Sequence, residues 1–102
     1  MNSLNDYALS YVRSEIKEHE EILKTTSYWK SYDFAFISYS ISALKEILSR
    51  LEKDRVSSPI TIIREYRDQM SDYSCVNPEG SFMFSVACDM AVYVLDELTV
   101  RR

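Results

Sequence analysis

Apolar residues recur along this chain at intervals of three and four, the spacing that gathers side chains on one face of a helix. The pattern predicts four helices, over about residues 3–24, 28–53, 59–73 and 82–98. In the first, Leu4, Ala8, Tyr11, Val12, Ile16, Ile22 and Leu23 form the apolar face, and Glu15, Glu18, Glu20 and Glu21 occupy the rest. Ser3 or Asn5 is placed to cap its start. In the last, FMFSVACDMAVYVLDEL, only Ser85, Asp89, Asp96 and Glu97 interrupt the apolar run. A helix so apolar has to be covered by several others, so it is expected at the centre of the fold, with Phe84, Ala87, Cys88, Ala91, Leu95 and Leu98 fully buried. Ser85, Asp89 and Asp96 fall on one ridge of it. That ridge is either the helix's solvent edge or a buried strip answered by Arg64 or Arg67.

The second segment carries two stripes. Phe34, Ile37, Ile41, Leu44, Leu48 and Leu51 alternate strictly by three and four, as a helix-packing seam does. Trp29, Tyr32, Phe36, Tyr39, Ala43 and Ile47 lie about 120° further round, which widens the apolar arc to roughly 200°. A helix at the corner of a bundle needs only about 100–140°. Either this helix also has neighbours on two sides, or the aromatic residues Trp29, Tyr32, Phe36 and Tyr39 meet something outside the fold. Large side chains with a polar handle are enriched at protein interfaces, which makes these four the candidate partner-binding residues.

The links between segments are polar. Thr25, Thr26 and Ser27 break the first from the second, and residues 53–57 break the second from the third. Ser58 before Pro59 is a good helix start, serine as cap and proline at the first helical position. Ile62, Ile63, Tyr66, Met70 and Tyr73 make the third helix's narrow apolar face, with Arg64 and Asp68 spaced for a surface ion pair. Arg64 and Arg67 are the candidate anion-binding residues, because a guanidinium grips carboxylate or phosphate with two parallel hydrogen bonds; the plainer reading is a solvated face. Asn77-Pro78-Glu79-Gly80 reads as a turn, after which Ser81 caps the last helix.

Composition adds to this what it excludes. One glycine and two prolines in 102 residues argue for helix, since an all-β chain needs many turn glycines. The expectation is an all-α, four-helix bundle-like single domain over residues 1–102 with the last helix central. A single glycine also rules out a glycine-rich phosphate loop. The net charge of −4 is spread evenly over the two halves, so no basic face is implied and direct nucleic-acid binding is disfavoured. The opening MNSLNDYALS has no basic region ahead of an apolar run, and no uninterrupted apolar stretch is long enough to span a bilayer. A cytoplasmic protein without membrane association is expected. Cys75 and Cys88 lack a CxxC pairing, which argues for reduced thiols over a disulfide or zinc site. His19 lies on the first helix's apolar stripe one turn after Glu15. It is read as a metal ligand or pH sensor on one view, and on the other as a partly buried histidine held by Glu15. The second is preferred, because metal sites take three or four donors and a single histidine is a thin set. Neither a metal, a cofactor nor an enzymatic activity is expected.

The segments EYRDQMSDYSCVNPEGSFMFSVACD and VLDEL resemble the C-terminal part of a family of small helical proteins of Gram-positive bacteria, their phages and mobile elements, over about residues 59–98. In that pattern the position of Cys88 is usually tyrosine, so the cysteine departs from it. The resemblance implies a small accessory protein, and in a phage setting an inhibitor that binds a host factor, including its defence machinery. The expected function is therefore non-enzymatic protein binding, with a homodimer through the aromatic stripe as one form of it. The alternative is a helical oligomeric binder of an anionic small molecule or nucleotide, held by Arg64 and Arg67 with tyrosines stacked on its ring.

Overall fold

The computed structural model describes residues 3–25 and 31–100, and for residues 31 and 32 the backbone only. Four α-helices run through the described residues: α1 (Leu4–Thr25), α2 (Ser31–Lys53), α3 (Pro59–Val76) and α4 (Ser81–Val100), with a short 3-10 turn at Pro78–Gly80 before α4. The all-α, four-helix reading holds. The boundaries shift by a few residues: α3 continues past Tyr73 to Val76, and α4 begins at Ser81. Residues 28–30, expected in the second helix, lie outside the described residues.

Local chemistry sets the helix starts. The Ser3 hydroxyl accepts from the Asp6 amide at 3.2 Å, and Ser58 accepts from the Ile60 amide at 3.3 Å with Pro59 behind it. Each answers an amide that has no partner inside the helix. Asn5 is not a cap. Its side-chain amide reaches across to donate to the carbonyls of Arg55 and Ser57, at 3.2 and 3.4 Å. The α2–α3 link is pinched by Asp54, whose Oδ1 accepts from the amides of Val56 and Ser57, and these bonds hold its carboxyl below the usual carboxylate range. At the α3–α4 turn, Ser81 lies in helical geometry instead of capping, with its Oγ 3.4 Å from that of Ser74. Gly80 has no left-handed backbone; its need for glycine is spatial, since a Cβ there would sit 2.9 Å from the Phe84 ring.

The helices alternate in direction. Ion pairs Arg13–Glu52 and Glu20–Lys45 run α1 against α2, the Tyr73–Phe84 rings run α3 against α4, and Tyr7–Glu97 with Tyr11–Tyr93 runs α1 against α4. The bundle is flattened, 44 × 35 × 23 Å, and α2 packs on α4 across the short diagonal more extensively than on its sequence neighbour α3. The core is centred on Val12, Leu44, Ile47, Ile63, Val94 and Leu98, all essentially inaccessible.

This arrangement explains the wide arc of α2. Its seam residue Ile41 shares a groove with Glu20 and Leu23 of α1, whereas Ala43 of the second stripe faces Met70 of α3 and Ala87 of α4. Two neighbours require two faces, and Leu44, Ile47 and Leu51 are buried accordingly. Toward the start of α2 the cover thins: Phe34 is 51% exposed, and Phe36, Ile37 and Tyr39 are half-buried.

The last helix touches all three others, but it is not enclosed on every side. Ser85, Asp89 and Asp96 face solvent, together with Val92 and Tyr93, so the polar ridge is the helix's outer edge. Ala87, Ala91, Leu95 and Leu98 are buried as expected, whereas Phe84 and Cys88 are only half-buried. Phe84 sits at the turn end, against Tyr73 and over Gly80, where it lines an open groove with Tyr39 and Ala43 of α2. Cys88 lies on the α3–α4 seam in the field of Arg67, Asp68 and Asp89; desolvation, then Asp89, push its thiol pKa up. No helix among the described residues is long and apolar enough to cross a membrane.

Candidate functional site

The four stripe residues of α2 are distributed unevenly. Trp29 and the Tyr32 side chain lie outside the described residues, while Phe36 and Tyr39 are half-buried. The Tyr39 ring meets Phe82 of α4 edge-on, with centroids 5.7 Å apart. That contact extends the stripe onto a second helix, where Phe82 and Met83 are 37% and 40% exposed. The sequence pattern had assigned this stretch of α4 to the core, because an apolar run shows no sign of which turns its neighbours cover.

Beneath this edge a groove of about 360 Å³ runs between α2, α3 and α4. Tyr39, Met83 and Phe84 wall its apolar end, and Ala43 and Ala87 leave room for it by carrying no more than a methyl group. Its other end is polar. There Arg50 holds its guanidinium 4.8 Å from the centroid of the Tyr66 ring, pairs with Glu46 at 3.1 Å and donates to Gln69 Oε1 at 2.7 Å. Tyr66 is only 3% exposed, and burial, with Glu46 adding and Arg50 opposing, pushes its hydroxyl pKa up to about 12. Tyr66 belongs to the predicted apolar face of α3, and nothing in the spacing marks it as lining a groove.

Arg64 and Arg67 differ in their surroundings. Arg64 is exposed, and Arg67 places both Nε and a terminal nitrogen on Oδ1 of Asp68, at 3.1 and 3.0 Å. The ion pair expected between Arg64 and Asp68 is therefore replaced by one with Arg67. His19 does turn to Glu15, through the backbone: its Nδ1 lies 2.7 Å from the Glu15 carbonyl oxygen. Among the described residues no group of three His, Cys, Asp or Glu side chains is placed to hold a metal ion.

Where α1 meets α4, tyrosines and carboxylates cluster. The rings of Tyr7 and Tyr11 stack at 6.2 Å, Tyr11 meets Tyr93 at 6.4 Å, and the Tyr7 hydroxyl donates to Glu97 at 2.5 Å. Burial, then the Tyr93 hydroxyl, push the Tyr11 pKa upward. Glu15, 8% exposed, is likewise raised above the ordinary carboxyl value of 4.5, by burial first and then by Glu18, with His19 and the Tyr93 hydroxyl opposing. A carboxyl raised in the folded state binds its proton more tightly there than when unfolded. Its charge therefore costs stability at neutral pH, and the cost fades as the pH falls through the raised value. Glu15→Gln is accordingly expected to raise the urea midpoint at pH 7, and the gain over the parent to shrink at pH 4. A variant no more stable than its parent at pH 7 would contradict this.

No protein-family model matches this chain, and no curated protein and no solved structure is significantly similar to it.

Proposed function

We propose that this chain is a non-enzymatic accessory protein that binds another protein through the α2–α4 edge formed by Phe36, Tyr39, Phe82 and Met83. The observation that supports this reading is that edge itself. Phe82 and Met83 are more than a third exposed side by side, and Tyr39 joins them from a second helix, so the apolar surface there is continuous across α2 and α4. Aromatic and methionine side chains gathered at a surface are the usual anchors of protein interfaces. A second copy of the chain is one such partner. The resemblance of residues 59–98 to proteins of phages and mobile elements supports a narrower form, a cytoplasmic inhibitor of a host factor, including a defence factor.

The test places a photo-crosslinking amino acid at Phe36 and, separately, at Asp72, which is exposed elsewhere on α3. A discrete adduct from the Phe36 position in native-host cells, absent from the Asp72 position, is the expected result. Phe82→Ser with Met83→Ser should abolish it while leaving the thermal midpoint within a few degrees. Light scattering separates a second copy from a different protein. Equal adducts from both positions, or an adduct that survives the double substitution, would remove the proposal. The anionic-ligand alternative would rest on the exposed Arg64, since the Arg67 guanidinium pairs with Asp68.

A further inference from the structure

The groove between α2, α3 and α4 has a property that the protein-binding reading does not use. Tyr66 is almost wholly buried and lines the groove, yet its hydroxyl makes no hydrogen bond to any described residue. A buried phenol ordinarily has a partner, and one with no protein acceptor takes it from what enters the groove, water or a ligand that displaces it. With its pKa raised, the hydroxyl stays protonated and is a donor at neutral pH. Beside it the charges cancel, since Arg50 is paired with Glu46. An anion entering here would have to displace Glu46 from Arg50, and a cation would have to sit against the Arg50 guanidinium. Neither is favoured over a neutral group that accepts one hydrogen bond. From Tyr39 to Arg50 the groove follows α2 for about 16 Å. A cavity of about 150 Å³ suffices for benzene; 360 Å³ takes two fused rings.

We propose that this groove binds a neutral aromatic small molecule of one or two fused rings bearing a carbonyl-type acceptor, with the Tyr66 hydroxyl donating to the acceptor and the ring held among Met70, Met83 and Phe84. The site shares Tyr39 and Met83 with the proposed protein-binding edge but does not rest on that reading, because Tyr66→Phe changes this groove and leaves the edge untouched.

Three compounds of one shape test it: naphthamide, which is neutral, naphthoate, an anion, and naphthamidinium, a cation. Each is titrated to millimolar concentration into the isotope-labelled full chain, with amide resonances followed by NMR. The expected result is that naphthamide binds most tightly and moves the signals of Ala43, Ala87 and their neighbours. Tyr66→Phe, which keeps the ring and removes the hydroxyl, should weaken it about three- to tenfold, the worth of one hydrogen bond. Ser42→Trp, on an exposed position at the groove's rim, should block it with the fold intact. An unchanged affinity in Tyr66→Phe, tighter binding of either charged compound, shifts confined to another surface, or no shift with any of the three would each overturn the proposal.

Discussion

Leu44→Ala is expected to lower the free energy of unfolding by about 2–5 kcal/mol, the range for removing a leucine from a packed core. The side chain is fully buried at the middle of α2, which packs chiefly against α1 on one side and α4 on the other. Neighbours held on both sides cannot all move inward to refill the space, so the cavity persists and the loss belongs in the upper part of that range. A domain of this size has only roughly 5–15 kcal/mol in total, so the variant keeps a small part of its stability or unfolds at physiological temperature. Urea denaturation reads the change directly. A loss under about 1 kcal/mol would mean that α2 is not the wall shared by both sides of the bundle.

Ala91→Leu is the second large effect, again a loss of stability but through overpacking instead of a cavity. Ala91 is fully buried on α4, between Ala87 and Leu95 on the same side of the helix, and its single methyl group lets α4 lie close to its neighbours. Three further carbons have no space to enter. Side chains leave their preferred rotamers or the helix moves out, at a cost of about 1–3 kcal/mol. Val92, the next residue, is 39% exposed, so Val92→Leu should change stability by no more than about 0.5 kcal/mol. The contrast between adjacent positions, read from thermal midpoints, tests which face of α4 is inward. Similar losses at both positions would mean that α4 is enclosed more completely than the structure has it.

The fold was largely legible in the pattern of apolar spacing, because helix periodicity and the polar links both survive into the structure. Ser58-Pro59 starts α3 as its chemistry requires, and the strict seam of α2 marks a helix that neighbours grip. What the spacing could not convey was how far each face is covered. Phe84 and Ala91 look equally apolar on a helical wheel, yet only Ala91 is enclosed, while Phe84 lines an open groove between α2, α3 and α4. The wide arc of α2 had two explanations, and the C-terminal half of the helix follows the first: neighbours on both sides.

The candidate site was less legible. Tyr39 was named from its stripe, but Phe82, its partner, came from a segment read as core. Arg50 and Tyr66 stand on different helices sixteen residues apart in sequence, and only the packing of α2 near α3 brings the guanidinium over the ring. Arg64 and Arg67 lie off the apolar face of α3, where a guanidinium can grip an anion; the carboxylate paired with Arg67 is that of the next residue, Asp68.

The up-and-down connectivity also bears on how the molecule assembles. α1 with α2, and α3 with α4, are antiparallel hairpins joined by short links, so each forms from residues near one another in the chain and closes a small loop. Topologies dominated by such local contacts fold in microseconds to milliseconds. The α2–α4 diagonal joins the two hairpins and is the contact expected to close last. Until it closes, Tyr39 and Phe82 stand apart on two separate hairpins, and the edge they make together exists only in the finished molecule.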